Sequence, residues 1–132
     1  MTTEQKRQLI LSAAEDAKAE RVRALDLRGK TLIADYFVVC SGTSDVHIRS
    51  VADKIQDALR AVGERALRVE GYREATWVLL DYGDVVVHIM REETRQHYGL
   101  EAFWQNAPLI ESLREHTSNE PRTRTGSEAR RI

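Results

Sequence analysis

The chain has 132 residues, a formal net charge of −1 and a single cysteine. This length suits one domain that can bury a core without metal or disulfide staples. One cysteine excludes an internal disulfide and a cysteine-based zinc site, and the nearly neutral charge argues against broad wrapping of nucleic acid. The N-terminal segment has dispersed charges and no long apolar run, so we expect no signal peptide, no membrane span and a cytoplasmic location.

The first third of the chain predicts a helix followed by two strands. Thr2 and Gln5 have the spacing of a capping box, and apolar residues then recur at helical spacing to about Glu20. A short strand is predicted from Val22 to Leu27. The nearly continuous apolar run from Ala34 to Cys40 is typical of a buried central strand.

The strongest helix signal runs from Ser44 to about Val62. Ser44 is a good N-cap, and the apolar residues from Ile48 onward form one stripe. Gly63 is typical of the residue that closes a helix. Ala66–Glu70 is a shorter, more polar strand, which we place near a sheet edge. The central strand, this helix and this strand predict a strand–helix–strand unit with a right-handed crossover.

The stretch from Trp77 to Met90 predicts a β-hairpin inside the sheet. Two aliphatic runs flank a short loop in which Gly83 can reach a positive φ at little cost. Because both runs show little polar alternation, we expect both faces of the hairpin to be covered. Together with the earlier elements, this predicts a single α/β domain with a mixed sheet of about five strands flanked by helices.

The chain after the hairpin predicts short helices and then a disordered tail. A polar helix at Arg91–His97 is followed by a turn, and Glu101–Trp104 starts another helical turn. From Thr117 the chain is rich in Ser, Thr and Arg and has almost no apolar side chains. We therefore predict a domain at residues 1–116 and a disordered tail at 117–132. The tail is basic, and the body is mildly acidic.

Two sets of residues near the second strand could carry catalysis, and each has a structural alternative. The Ser41–Ser44 loop follows a strand and starts a helix, which is where backbone N–H groups can hold a phosphate. It lacks the spacing and the lysine of a P-loop, so an ordinary helix cap is the favoured interpretation. Cys40 and His47 could form a nucleophile and its base, but a cysteine that ends an apolar strand is more often buried.

Carboxylates and histidines elsewhere could bind a metal ion. Asp81 and Asp84 flank the hairpin turn, but a two-metal site favours Asp-x-Asp on one strand face, and no such pattern occurs in this chain. We favour turn aspartates that accept backbone hydrogen bonds. His47, His88 and His97 match no compact ligand spacing, so we predict no metal site.

Aromatic residues cluster in the second half of the chain among acidic ones. Large rings beside turns are hard to bury fully, and Tyr and Trp are enriched in binding hot spots. An aromatic patch rimmed by acids suits a basic protein partner, while core packing is the alternative. The aromatic residues concerned are Tyr72, Trp77, Tyr82, Tyr98 and Trp104, and the acidic ones are Asp81, Asp84 and Glu101.

Three stretches of the sequence resemble the ribosomal silencing factor family, also called the Iojap family. The resemblance covers about residues 5–105 in order and spacing, and it implies a nucleotidyltransferase-like fold without that superfamily's catalytic carboxylates. The stretches are ADYFVVCSGTS at 34–44, WVLLDYGDVVVHIM at 77–90, and the pattern R-x-x-Y-x-L-E-x-x-W formed by Arg95, Tyr98, Leu100, Glu101 and Trp104.

The resemblance implies a binding protein that is not an enzyme and uses no cofactor. Family members bind the large ribosomal subunit through a basic ribosomal protein of its inter-subunit face, the fourteenth large-subunit protein in the usual numbering (uL14). They block joining of the small subunit and repress translation under nutrient limitation, and members can be homodimers. The partner-binding residues that carry over are Trp77, Asp81, Tyr82, Tyr98, Leu100, Glu101 and Trp104, with Asp84 and His88 beside them.

Two other classes of function stay open at this point. A nucleotidyltransferase-type enzyme would use the Ser41–Ser44 loop. A direct rRNA binder would use the arginines of the tail, whereas a protein-mediated contact would leave rRNA contact peripheral at most. We favour the ribosome-binding module.

Overall fold

The computed structural model describes residues 1–101, in which three helices and five strands are present. Trp104, the domain boundary at residue 116 and the predicted tail lie outside the described residues. Within residues 1–101, no helix is long and apolar enough to cross a membrane. In chain order the elements are α1 (Thr3–Asp16), β1 (Glu20–Asp26), β2 (Tyr36–Gly42), α2 (Asp45–Arg60), β3 (Arg68–Glu70), β4 (Trp77–Asp81), β5 (Val85–Arg91) and α3 (Glu92–Tyr98).

The five strands form one mixed sheet in the order β1-β2-β5-β4-β3. β2 and β5 are parallel, and the other neighbouring pairs are antiparallel. The predicted single α/β domain with a mixed sheet of about five strands is confirmed. β2 is buried throughout and lies between β1 and β5, as expected of a buried interior strand, and β5 occupies the centre of the sheet. β2 and β3 run in the same direction, but β5 and β4 lie between them, so the strand–helix–strand unit does not join neighbouring strands.

The first helix begins at its predicted cap and ends earlier than predicted. The Thr2 hydroxyl accepts a hydrogen bond from the Gln5 backbone N–H at 3.0 Å, and Gln5 Oε1 accepts one from the Thr2 N–H at 2.8 Å. The helix stops at Asp16 instead of about Glu20. The backbone turns into the left-handed region at Lys18, with φ of 66°, which breaks the helical hydrogen-bond pattern.

The second helix has both of its predicted caps. The Ser44 hydroxyl accepts a hydrogen bond from the His47 backbone N–H at 3.0 Å. Gly63 has a φ of +84° and donates to the Arg60 carbonyl at 3.0 Å, which closes the helix end. The predicted apolar stripe is buried as far as Leu59. The side chain of Val62 is 50% exposed because it lies beyond the last helical turn.

The predicted hairpin is formed by β4 and β5, with registered pairs from Trp77↔Met90 to Asp81↔Val86. Gly83 in its turn has a φ of 89°, as the prediction required. β5 is buried on both faces except at Arg91, which confirms its predicted position inside the sheet. β4 instead alternates between buried and partly exposed residues, so the prediction that both of its faces are covered is wrong.

The sheet has two faces with different cover. We call the first the α1–α2 face, because buried residues of both long helices pack there against alternate residues of the strands. We call the second the α3 face, because the short helix α3 contacts β5 and β2 and Leu100 joins the apolar cluster on that side. The two long helices therefore leave the α3 face of β4 and β3 without helical cover among the described residues.

Candidate docking surface

The α3 face of β4 places three partly exposed side chains next to each other. Alternation along the strand turns Trp77, Leu79 and Asp81 to this face, while Val78 and Leu80 point into the core of the other. Cross-strand registry places Leu79 between His88 of β5 and Glu70 of β3. The complete row across the sheet is Arg23, Val39, His88, Leu79 and Glu70.

The indole of Trp77 is held in a defined orientation from two sides. Its Nε1–H donates to Nδ1 of His88 at 3.0 Å, so that nitrogen carries no proton. The ring of Tyr98 lies against the indole, with centroids 5.0 Å apart. His88 is 1% exposed and packs edge-on against Phe37, with centroids 4.6 Å apart. Trp77 is therefore supported by the centre of the sheet.

Tyr98 is the most exposed aromatic residue among the described ones. It is the last residue of α3 and is 59% exposed, whereas Leu100 is 7% exposed and belongs to the apolar cluster below. Gly99 separates them with a φ of 58°, a left-handed conformation that reverses the chain direction. The turn lets two residues that are only two positions apart serve the surface and the core.

Asp81 forms the acidic rim of this group, together with Glu70. Its Oδ1 accepts from the Gly83 backbone N–H at 2.8 Å, as predicted for a turn aspartate, and its Oδ2 accepts from Arg68 at 3.2 Å. Arg68 also pairs with Glu70 at 2.5 Å. Two carboxylates thus share one guanidinium, which leaves these three side chains with one excess negative charge.

Tyr82 and Asp84 do not belong to this group. Tyr82 is 5% exposed and lies in the core of the α1–α2 face, where burial raises its pKa to about 12. Asp84 accepts hydrogen bonds from Lys6 at 2.8 Å and from Thr3 at 2.6 Å, and so ties the hairpin turn to α1. The structure separates these two predicted binding residues from Trp77, Asp81 and Tyr98.

Glu101 is also engaged within the chain. Its carboxylate accepts two hydrogen bonds from the buried Arg95, at 2.7 and 2.9 Å, and its side chain is 15% exposed. His88 and Leu100 are therefore buried and Glu101 is engaged by Arg95, whereas four residues of the α3 face are at least partly exposed: Trp77, Leu79, Asp81 and Tyr98. We call those four residues the docking surface.

Several groups of the catalytic alternatives are engaged or buried in the structure. In the Ser41–Ser44 loop, the Thr43 N–H donates to Nδ1 of His47 at 3.0 Å, so this donor is not free for a phosphate. Asp45 carries a negative charge at the same helix end and pairs with Arg91 at 2.9 Å. Burial raises the pKa of Cys40 to about 12, which keeps the thiol protonated. In the part of the chain described, no three acidic, histidine or cysteine side chains cluster as metal ligands would.

The sequence prediction missed Leu79 and Arg95 as site residues. Leu79 has the same parity as Trp77 and Asp81, so the period of two along a strand could have found it. Tyr82 follows Trp77 by five positions, an odd number, so the same period of two places it on the opposite face. Arg95 belongs to the pattern shared with the family, and no local signal in the sequence indicates that its side chain is buried.

A five-stranded mixed sheet with two long helices on one face and the short helix α3 on the other defines a small α/β domain. The family model for "Ribosomal silencing factor during starvation" matches residues 1–131. The chain belongs to the ribosomal silencing factor family.

Individual relatives agree with this assignment. The chain is 40% identical over 111 residues to the ribosomal silencing factor of Halalkalibacterium halodurans, covering 84% of this chain and 95% of the relative. A crystal structure of a Chromobacterium violaceum protein has a TM-score of 0.77 and 30% sequence identity, covering 87% of this chain and 98% of that one. A more distant mouse relative, 28% identical over 99 residues, is named for mitochondrial assembly of the ribosomal large subunit and is matched over 43% of its length.

Proposed function

We propose that this protein silences ribosomes by binding the large ribosomal subunit through the docking surface. The bound domain occupies the inter-subunit face, contacts the basic protein uL14 and sterically blocks joining of the small subunit. Translation is thereby repressed when nutrients are limiting. The protein acts in the cytoplasm as a binding module, without cofactor or catalysis. When it is not bound to the ribosome, it can form a homodimer.

The observation that carries this proposal is the pair formed by Trp77 and Tyr98. A strand residue and a helix residue meet with ring centroids 5.0 Å apart on the face that α1 and α2 leave uncovered. Tyr and Trp residues in such positions supply much of the binding energy of protein interfaces. The indole of Trp77 is already oriented by His88, so this side chain loses little conformational freedom on binding.

The charge beside this pair favours a basic partner. Asp81 and Glu70 share Arg68 as their counter-ion, and exposed pairs of this kind are weak enough to exchange partners. A lysine or arginine of the ribosomal protein can therefore pair with Asp81 without leaving Arg68 buried. Such contacts set orientation and association rate more than affinity.

Steric exclusion needs only tight binding. A Kd near 1 nM corresponds to about 12 kcal/mol, which one interface of standard size can provide with two or three hot-spot residues. The name of the mouse relative, which refers to the ribosomal large subunit, supports the choice of subunit.

The direct test measures co-sedimentation of the full-length protein with purified bacterial large subunits, followed by addition of small subunits. We expect the protein to pellet with large subunits but not with small subunits, and to reduce the yield of joined ribosomes in proportion to its occupancy. Joining that proceeds unchanged at full occupancy would contradict the steric mechanism.

Two control experiments separate this function from the alternatives. Deletion of residues 117–132 leaves large-subunit binding unchanged if the docking surface carries it, whereas a direct rRNA binder would lose its binding. Addition of nucleotides with Mg²⁺ leaves the melting temperature unchanged, whereas a nucleotidyltransferase would be stabilised by its substrate.

A further inference from the structure

Arg95 is a buried cation that lies below the docking surface. It is 2% exposed and donates from Nε and Nη2 to the two carboxylate oxygens of Glu101, at 2.7 and 2.9 Å. Its third donor, Nη1, reaches the Ser41 hydroxyl on β2 at 2.9 Å. The Ser41 hydroxyl in turn donates to Glu92 at 2.9 Å. We call Arg95, Glu101 and Ser41 the clasp.

The clasp closes a short segment of chain over the sheet. Residues 95 and 101 are joined side chain to side chain, and the segment between them contains Tyr98 and Leu100. Gly99 donates its N–H to the Arg95 carbonyl at 3.1 Å, so the turn is also fixed through the backbone. The guanidinium of Arg95 therefore ties the segment that carries Tyr98 to Glu101 and to β2.

The helix that carries Tyr98 cannot hold this position alone. α3 has seven residues and no side-chain hydrogen bond at its N-cap. Isolated helices of this length are not stable in water, and their geometry comes from tertiary contacts. Among its residues Arg95 is the buried one, and its bond to Ser41 ties α3 to β2 together with the bond from Ser41 to Glu92.

We propose that Arg95 is a positioning residue for partner binding and that Glu101 is its internal counter-charge rather than a ligand of the partner. This inference rests on the proposed function. The clasp keeps Tyr98 and Trp77 in their binding arrangement before the partner arrives. Apparent affinity falls by the fraction of molecules that are competent to bind, so loss of the clasp weakens binding without removing any contact with the partner.

The test compares two buried cations on opposite faces of the sheet, in the full-length protein. Arg95→Met removes the clasp, whereas Lys6→Met removes the matched pair between Lys6 and Asp84, at 2.8 Å on the side of α1. Binding to purified large subunits is measured for the folded fraction of each variant. We expect Arg95→Met to raise Kd about tenfold or more, as for a competent fraction of about one tenth, and Lys6→Met to stay within about twofold of the unchanged protein. Equal Kd values for the two variants would overturn the assignment.

Two further readouts exclude a merely structural role. In the free protein, nuclear Overhauser contacts between the rings of Tyr98 and Trp77 should disappear in Arg95→Met and persist in Lys6→Met. Glu101→Gln should weaken binding while the slope of log Kd against log salt concentration stays that of the unchanged protein. A shallower slope would show that Glu101 pairs with a basic partner directly, which contradicts the inference.

These measurements distinguish a failure of the positioning role from a failure of the proposed function. If the unchanged protein does not bind large subunits, the proposed function is wrong. If it binds them and Arg95→Met keeps both the ring contacts and the Kd, the proposed function stands and the positioning role is wrong.

Discussion

The indole N–H of Trp77 donates to Nδ1 of His88 at 3.0 Å, and this bond connects the docking surface to the central strand of the sheet. His88 is 1% exposed, so the acceptor cannot be replaced by bulk water without a local rearrangement. One buried histidine therefore fixes the orientation of one partly exposed tryptophan.

Replacement of His88 by Phe should destabilise the protein through this bond. The change keeps a ring beside Phe37 but removes the acceptor, and we expect a loss of about 1–3 kcal/mol in the free energy of unfolding measured with urea. In a Trp77→Phe background the same replacement should cost less, because the donor is already absent. Equal losses in the two backgrounds would show that the hydrogen bond does not contribute.

The Lys6–Asp84 pair should give the stability a pH dependence that Asp84→Asn removes. Burial alone would raise the pKa of Asp84, but hydrogen bonds from Lys6 and Thr3 bring it below its ordinary value. Burial alone would lower the pKa of Lys6, but bonds to Asp84 and Glu64 bring it above its ordinary value. The advantage of the unchanged protein over Asp84→Asn is therefore full between about pH 5 and 9.

That advantage should decline as the pH falls through the lowered pKa of Asp84, and again as it rises through the raised pKa of Lys6. Urea unfolding across this pH range measures it. Asp57→Asn serves as the control, because Asp57 forms an exposed pair with Arg60 that is worth little. A constant difference between the unchanged protein and Asp84→Asn down to pH 2 would refute this account of the pair.

Gly71 should tolerate a side chain less well than Gly63, although both have similar positive φ values of +78° and +84°. A Cβ at Gly71 would lie 2.1 Å from the backbone oxygen of Trp77, whereas a Cβ at Gly63 would meet nothing within 4 Å. We expect Gly63→Ala to cost about 1–2 kcal/mol from the left-handed conformation. Gly71→Ala should cost at least about 1 kcal/mol more from the added clash, by thermal or urea unfolding. Equal costs would contradict the contact with β4.

Tyr82→Ala should lower stability without changing the binding of the folded protein. Tyr82 is 5% exposed in the core of the α1–α2 face, and truncation of a buried aromatic residue costs about 3–5 kcal/mol. The Kd for large subunits, corrected for the folded fraction, should stay within about twofold. A large increase in that Kd would place Tyr82 in the interface after all.

Local patterns predicted the elements of this fold well. The cap at Thr2, the cap at Ser44, the closing glycine at Gly63 and the hairpin turn at Gly83 each depend on a few neighbouring residues, and the structure shows all four. The order of the strands was not predictable from such patterns, because insertion of β5 beside β2 is set by long-range packing that no local pattern encodes.

The candidate site was predictable only in part, for the same physical reason. Residue types identified Trp77, Asp81 and Tyr98, but which face of the sheet the long helices cover is a property of the whole chain. Tyr82 and Asp84 therefore lie on the other side from the sequence prediction. The role of Glu101 depends on Arg95, and their pairing follows from a helix end and a left-handed turn.

The central claim is that the α3 face carries the docking surface, and two tyrosine variants test it most directly. Tyr98 is exposed and its ring lies against that of Trp77. The Tyr72 hydroxyl instead donates to Asp53 of α2 at 2.9 Å, on the opposite face of the sheet. In co-sedimentation with purified large subunits, we expect Tyr98→Ala to raise Kd about 30-fold, the effect of losing a hot spot of about 2 kcal/mol. Tyr72→Ala should bind within about threefold of the unchanged protein. If Tyr98→Ala binds as tightly as the unchanged protein, or if Tyr72→Ala is the variant that loses binding, the claim is contradicted.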